Sequence, residues 1–249
     1  MRFSHVIHPN GTIRQRRNRR KQRWLSLGFI VVVLTILLIA TRSNTLNWYE
    51  FYTFFFSSLI SVVIGYFIAA LLAVILALAS TKNKFIENIL VPVLDVAQSF
   101  PTFALIPVLL VLFSTSRWVV VIFLVVTIIW PITFTLIAAI KSEREDLSEA
   151  ATIYGAHGIK RLRYYRLPDM LPAFVTGSII GWGEAWEALI GAEIIAKVSG
   201  VGAYLGKLGE NGGVAQLVVG ITMYLFLIFV LNEIIWIPLL NYSSRYQNE

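Results

Sequence analysis

The chain has 249 residues, of which 57% are hydrophobic and 14% charged, and its formal net charge is +7. Soluble domains carry about 25% charged residues, so this balance excludes an ordinary soluble enzyme and points to a chain that lives in a bilayer. There is no cysteine, which excludes structural disulfides, cysteine-ligated metals and a thiol nucleophile.

The predicted organisation is a basic tail over residues 1–23, a transmembrane domain over 24–240 containing a cytoplasmic loop at 141–171, and a C-terminal tail over 241–249. The tail holds His5 and His8. No second pair of ligands lies near them, so the spacing reads as a solvated tail rather than a metal site. The basic run from Arg14 to Arg23 abuts an apolar stretch. It reads as a topogenic, headgroup-bound segment, not as a nucleic-acid arm.

A membrane helix needs about 20 apolar residues, and six stretches qualify: 24–40, 51–79, 89–113, 118–140, 173–195 and 214–240. The first is followed by Thr41-Arg42-Ser43 with no small-x-small cleavage site, so an uncleaved signal anchor is expected. Of the 21 Lys and Arg residues, seventeen fall in residues 1–23, 80–88, 141–172 and 241–249; four fall in the alternate segments. The positive-inside bias then places both termini in the cytoplasm of an inner-membrane protein.

The third stretch carries Pro92, Pro101 and Pro107, and it sets Asp95, Gln98, Ser99 and Thr102 on one helical face. That face either lines a translocation path or bonds neighbouring helices together. The loop 141–171 is too polar to insert. Ser142 to Glu145 fits a capping box, Gly155 can end the helix that follows, and a second short helix over about 158–166 is expected to stop ahead of Pro168. Apolar residues and arginines would both be exposed there, which suits a protein partner or a connector resting on lipid.

The fifth stretch places Glu184 and Glu187 near mid-span and Glu193 toward the outer end. Intramembrane acids usually face an interior or mark function, so all three are candidate path residues with Gln98, Ser99 and Thr102. Gly177 and Gly181 permit close helix contact, here expected at a dimer axis. Trp182 and Trp186 should stack one turn apart, and Asn232 and Glu233 in the last stretch are possible partners of the acids. Residues 200–213 hold six glycines and read as a turn-rich gate or docking loop. Gly202 to Leu208 is only a near miss to a phosphate loop, with Leu208 where a magnesium-holding hydroxyl should be.

Glu149-Ala150-Ala151, three residues, Gly155, nine residues, then Tyr165-Arg166-Leu167-Pro168 resembles the signature loop of importer permeases of the ATP-binding-cassette class. Only Tyr165 departs from the pattern, which has isoleucine there. Asp95 to Pro101, Ile190-Gly191-Ala192-Glu193 and Ser199-Gly200-Val201-Gly202 are similar to the nitrate, sulfonate and taurine branch. The resemblance spans about residues 95–240.

It implies an all-α permease of the type I importer kind. Glu149, Ala150, Ala151, Gly155, Leu167 and Pro168 would dock a separate nucleotide-binding ATPase, which holds the ATP and magnesium; this chain would hold no cofactor. A second permease copy and an extracytoplasmic solute-binding protein would complete the assembly. The branch suggests a small anion such as nitrate, a sulfonate, taurine or bicarbonate. The mid-span acids favour a cationic or zwitterionic solute instead. Rival readings are an ion-coupled secondary transporter, for which no internal repeat is evident, and a non-transporting scaffold.

Overall fold

The computed structural model describes residues 46–142, 149, 151–155, 157–211 and 213–244. The basic tail and the candidate span over 24–40 lie outside the described residues, as does most of the capping box. Among the described residues every regular element is helical.

Helix α1 (Trp48–Ser80) starts where the Asn47 side chain accepts the amide of Glu50 at 3.3 Å, satisfying one of the donors a helix start leaves unpaired. Its 33 residues extend about 50 Å against a hydrocarbon core of about 30 Å, so it tilts or projects past the bilayer. Helix α2 (Lys84–Gln98) is capped in the same way, Asn83 Oδ1 accepting the amide of Ile86 at 2.8 Å. An ion pair of 2.7 Å between Lys141 and Glu87 ties its first turn to the end of the later helix Arg117–Lys141.

The third stretch is not one straight helix. After Gln98 the chain breaks at Pro101, makes a tight turn over Thr102–Ala104 and continues as α3 (Leu105–Phe113), with a bend of 76° between the halves. Pro101 has no amide to donate and disfavours helical geometry at Phe100 before it. Phe103 anchors the break. Its ring lies 5.0 Å from that of Phe123 and so close to Gly191 that a Cβ there would meet it at 2.9 Å.

Helix α4 (Arg117–Lys141) is the centre of the fold. Val120, Phe123, Leu124, Ile128, Ile132 and Leu136 are all buried, against α1 on one side and the helix Leu167–Ala196 on the other. Helix α5 (Leu167–Ala196) crosses α4 at two glycines. A Cβ on Gly177 would collide with the Thr135 hydroxyl and meet Pro131 O at 2.9 Å; one on Gly181 would meet Ile128 O at 3.1 Å. The small-residue pair therefore brings two helices of the same chain together. This corrects the expectation of a dimer axis.

Two further expectations are revised. The surface helix does not stop before Pro168: a turn at Ile159–Arg161 passes through a π-helical segment, Leu162–Arg166, directly into α5. The amide of Leu167 bonds back five residues to Leu162 O. This wider turn is tolerated just where Pro168, near the helix start, has no amide to place. The glycine-rich segment is also no loop, since most of it forms helix α6 (Val201–Glu210), bent by 64° from α5.

Helix α7 (Val214–Ser243) closes the bundle. Trp182 and Trp186 lie edge to face at 5.9 Å, and both are buried in an aromatic cluster with Phe55, Tyr66, Tyr224 and Trp236. They belong to the core, not to an open path. Helices α1, α4 and α7 are each long and apolar enough to cross a membrane, and the two bent pairs bring the number to five if each is one span.

Candidate functional site

Three places gather the residues singled out above. The first is the connection between α4 and α5. Ser142 ends α4, its amide bonding to Ala138 O and Ala139 O; the residues it would cap in the expected box, 143–145, lie outside the described residues. Glu149 is exposed and Ala151 half-buried, while Ala150 lies outside the described residues. Gly155 adopts φ +78° and its amide returns to Thr152 O at 3.0 Å, the left-handed helix stop that glycine makes cheaply. Around it Ile153, Tyr154, Ile159 and Tyr164 are between 71% and 90% exposed. Arg163 lies over the Tyr164 ring at 5.7 Å. Leu167 is exposed and Pro168 half-buried at the start of α5. The segment is an apolar and basic surface raised on a sharp turn.

The second place is a recess of about 420 Å³ between the break after α2, helix α4 and helix α5. Gln98 and Thr102 reach it from the two sides of the break, and Glu184 and Ile180 from α5. Its floor is α4: Thr127, Pro131 and Thr135 in successive turns, with Trp130 and Phe134 beside them. The structure thus brings Gln98, Thr102 and Glu184 to one cavity. Ser99 turns away, its hydroxyl donating to Asp95 O at 3.1 Å, and Gln98 Nε2 donates to Asp95 Oδ1 at 2.7 Å. Glu187 is exposed but does not line the recess. Asn232 leaves its Oδ1 without a hydrogen bond among the described residues and so does not serve the acids as an acceptor.

The third place is at the α5–α6 bend, where Glu193 is 1% exposed. Its carboxylate accepts the Ser58 hydroxyl at 2.6 Å and the Gly202 amide at 2.7 Å, and Ser58 Oγ in turn accepts the Val201 amide at 2.8 Å. Next to it Arg117 donates to Ser57 Oγ at 2.6 Å, and Ser57 donates to Ser199 O at 3.1 Å. Glu193 therefore caps the first turn of α6, where unpaired amides and the helix dipole favour an anion. It also clasps that turn to α1. The glycines follow from this geometry: a Cβ on Gly200 would fall on the Glu193 carboxylate, and one on Gly202 would meet Ile190 O at 2.6 Å.

The sequence reading missed Ser57 and Ser58 and the α4 floor of the recess. The signals were present. Ser57-Ser58 is a polar pair inside an apolar run, and Thr127, Pro131 and Thr135 recur every four residues.

Among the described residues no group of three or more acidic or histidine side chains could hold a metal ion. Long apolar helices, two broken ones and a carboxylate buried inside the bundle define a polytopic helical membrane protein. The chain belongs to the family of binding-protein-dependent transport system inner membrane components, whose profile matches residues 65–237. It is 26% identical over 176 residues to the taurine transport system permease protein TauC of Escherichia coli, a match covering 71% of this chain and 64% of that protein. It is 24% identical over 182 residues to the nitrate import permease protein NrtB of Leptolyngbya laminosa, covering 72% and 64%. A third relative is the formylaminopyrimidine transport permease protein ThiX of Halalkalibacterium halodurans, 29% identical over 178 residues and covering 70% and 65%. The chain thus spans somewhat under two thirds of the length of these relatives.

Proposed function

We propose that the chain is the membrane-spanning permease subunit of an ATP-binding-cassette importer for a small solute. The observation that carries this reading is the family match over residues 65–237, which includes both the recess and the α4–α5 connection. Binding-protein-dependent transport requires an extracytoplasmic solute-binding protein, and the chain has no phosphate loop, so ATP and magnesium belong to a separate ATPase. Glu149, Ala150, Ala151, Gly155, Leu167 and Pro168 form the docking surface for that ATPase. Exposed Ile153, Tyr154 and Ile159 beside it are apolar area that a protein partner would bury. A second permease copy faces the recess, so that Gln98, Thr102 and Glu184 line the path between copies, with Ser99 and Glu187 at its edge. Glu193 holds the outer end of that path in shape.

The relatives named for taurine and nitrate favour a small acid-bearing solute. Residues 24–240 form the inner-membrane domain, with residues 1–23 and 241–249 cytoplasmic. The absence of cysteine gives a direct test of this topology. A single cysteine at Lys160 should resist an impermeant thiol reagent in intact cells, whereas one at Asn211 should react. Labelling of Lys160 from outside would overturn the orientation. The transport reading is tested by ATP-dependent uptake into vesicles holding permease, ATPase and binding protein; uptake without the ATPase would favour a secondary transporter.

A further inference from the structure

Resting on the permease reading, we infer that the solute accepted by the recess between α4 and α5 carries a cationic nitrogen, alone or beside an acid group. Four observations on the recess agree. Among the described residues Glu184 is the one ionisable group lining it, and no Lys, Arg or His does. Helix α2 ends at Gln98 on its wall, so the carbonyl end of a helix, which carries partial negative charge, abuts the cavity. Pro131, inside α4 and on the floor, has no amide to give to the Thr127 carbonyl one turn back, so the helix itself makes one bond fewer to its carbonyls at this level. Trp130 and Phe134 line it with aromatic rings, whose faces attract cations through the ring quadrupole.

A carboxylate, helix carbonyls and aromatic faces all stabilise positive charge, and a bare nitrate or bicarbonate would meet only repulsion from them. The Thr102 hydroxyl and the second amide hydrogen of Gln98 can donate to an acid group on the same solute, while the hydroxyls of Thr127 and Thr135 already donate to Phe123 O and Pro131 O of their own helix. A zwitterion is therefore compatible with both the recess and the relatives.

The test uses the complex in lipid nanodiscs and a hydrophobic carbodiimide that labels accessible intramembrane carboxyls, with the modified residue located by mass spectrometry. Tetramethylammonium is the cationic probe because it has no N–H to attack the activated carboxyl; sodium methanesulfonate is the anionic probe, and sodium chloride at equal ionic strength is the reference. Glu184 should label. Tetramethylammonium should slow that labelling about three-fold or more, and methanesulfonate should leave it unchanged. Trp130→Leu should abolish the protection while leaving the unprotected rate; Phe134→Leu serves if the first variant fails to assemble. Glu184→Gln should lose the label and so confirms its assignment. Equal or better protection by methanesulfonate, no protection by tetramethylammonium, or an unreactive Glu184 would each overturn the inference. ATP-driven uptake by the same preparation separates the two ideas: cation protection without uptake would sink the permease reading while leaving the chemistry of the recess.

Discussion

Glu184 and Glu193 sit nine residues apart on one helix and are kept there for opposite reasons. Nine steps of about 100° carry the chain through two and a half turns, so the two carboxylates leave α5 on opposite faces. Glu193 is buried and hydrogen-bonded by a serine of α1 and an amide of α6. Glu184 is exposed on a recess whose other walls, among the described residues, offer it no cation. An acid inside an apolar helix is costly in either place. At 193 the cost is offset by bonds that fix a bend; at 184 the described structure shows no such offset. The carboxyl that the fold does not use is the one left for a ligand.

The comparison breaks most visibly at the bonded acid. Glu193→Ala removes the acceptor of both the Ser58 hydroxyl and the Gly202 amide. Leaving two buried donors unpaired should cost about 2–5 kcal/mol. Purified Glu193→Ala should unfold at a clearly lower temperature and give a low yield of complex. A melting temperature equal to that of the unaltered protein would show that the clasp contributes little. Ser58→Ala removes one of the same bonds and also leaves the Val201 amide without its acceptor, so it should lower the melting temperature by a comparable amount.

Next in size is the turn that the transport reading assigns to ATPase docking. Gly155→Val forces a β-branched residue into φ +78°, at a cost of about 1–2 kcal/mol. No heavy atom lies within 4 Å of where its Cβ would go, so the loss is local to the turn. Co-purification of the ATPase should fall strongly while membrane insertion is kept. Retained ATPase and normal uptake would show that the turn is not the docking element.

A smaller effect of the opposite sign is expected at the clasp. Lys197 ends α5 in the left-handed conformation, φ +53°, with its amide and that of Val198 returning to Ile194 O and Glu193 O. That pair of bonds closes helices through a residue that is usually glycine. Lys197→Gly should remove the backbone strain and raise stability by about 0.5–1 kcal/mol, less whatever unfolded-chain freedom the glycine adds. Thermal unfolding reads the sign, and a destabilised variant would show that the lysine side chain supports the bend.

How much of this was legible in the sequence depends on how far each feature reaches along the chain. The straight spans were, because an apolar run is a local signal: the stretches read at 51–79, 118–140 and 214–240 correspond to α1, α4 and α7. The stop at Gly155 was legible for the same reason. The broken span was only half legible, since Pro101 marks a breaking point but not the 76° that follows. Gly177 and Gly181 announced a close contact, but spacing alone placed it wrongly at a dimer axis; the partner is α4 of the same chain. The Glu193 clasp was illegible, because Ser58 and Glu193 are 135 residues apart and no periodicity pairs them. The recess was half visible: Gln98, Thr102 and Glu184 were singled out from two stretches, while the α4 residues that join them went unread beneath an apolar average.

The smallest expected change in stability is the one that sharpens the comparison. Glu184→Gln keeps the size of the side chain and most of its hydrogen-bonding capacity while removing the charge. The carboxylate is exposed on the recess, and exposed substitutions away from caps and buried networks usually stay within about 0.5 kcal/mol. Thermal unfolding of Glu184→Gln should therefore match that of the unaltered complex, where Glu193→Ala falls well below it. Uptake should separate the two in the reverse sense. A permease that passes a cationic nitrogen over Glu184 loses its attraction for it in the glutamine variant, so the rate at low solute concentration should drop while the assembled complex is recovered in normal yield. A variant that unfolds early would place Glu184 with Glu193 as a structural acid. A variant that is stable and transports at an unchanged rate would leave the recess without a charged role in passage.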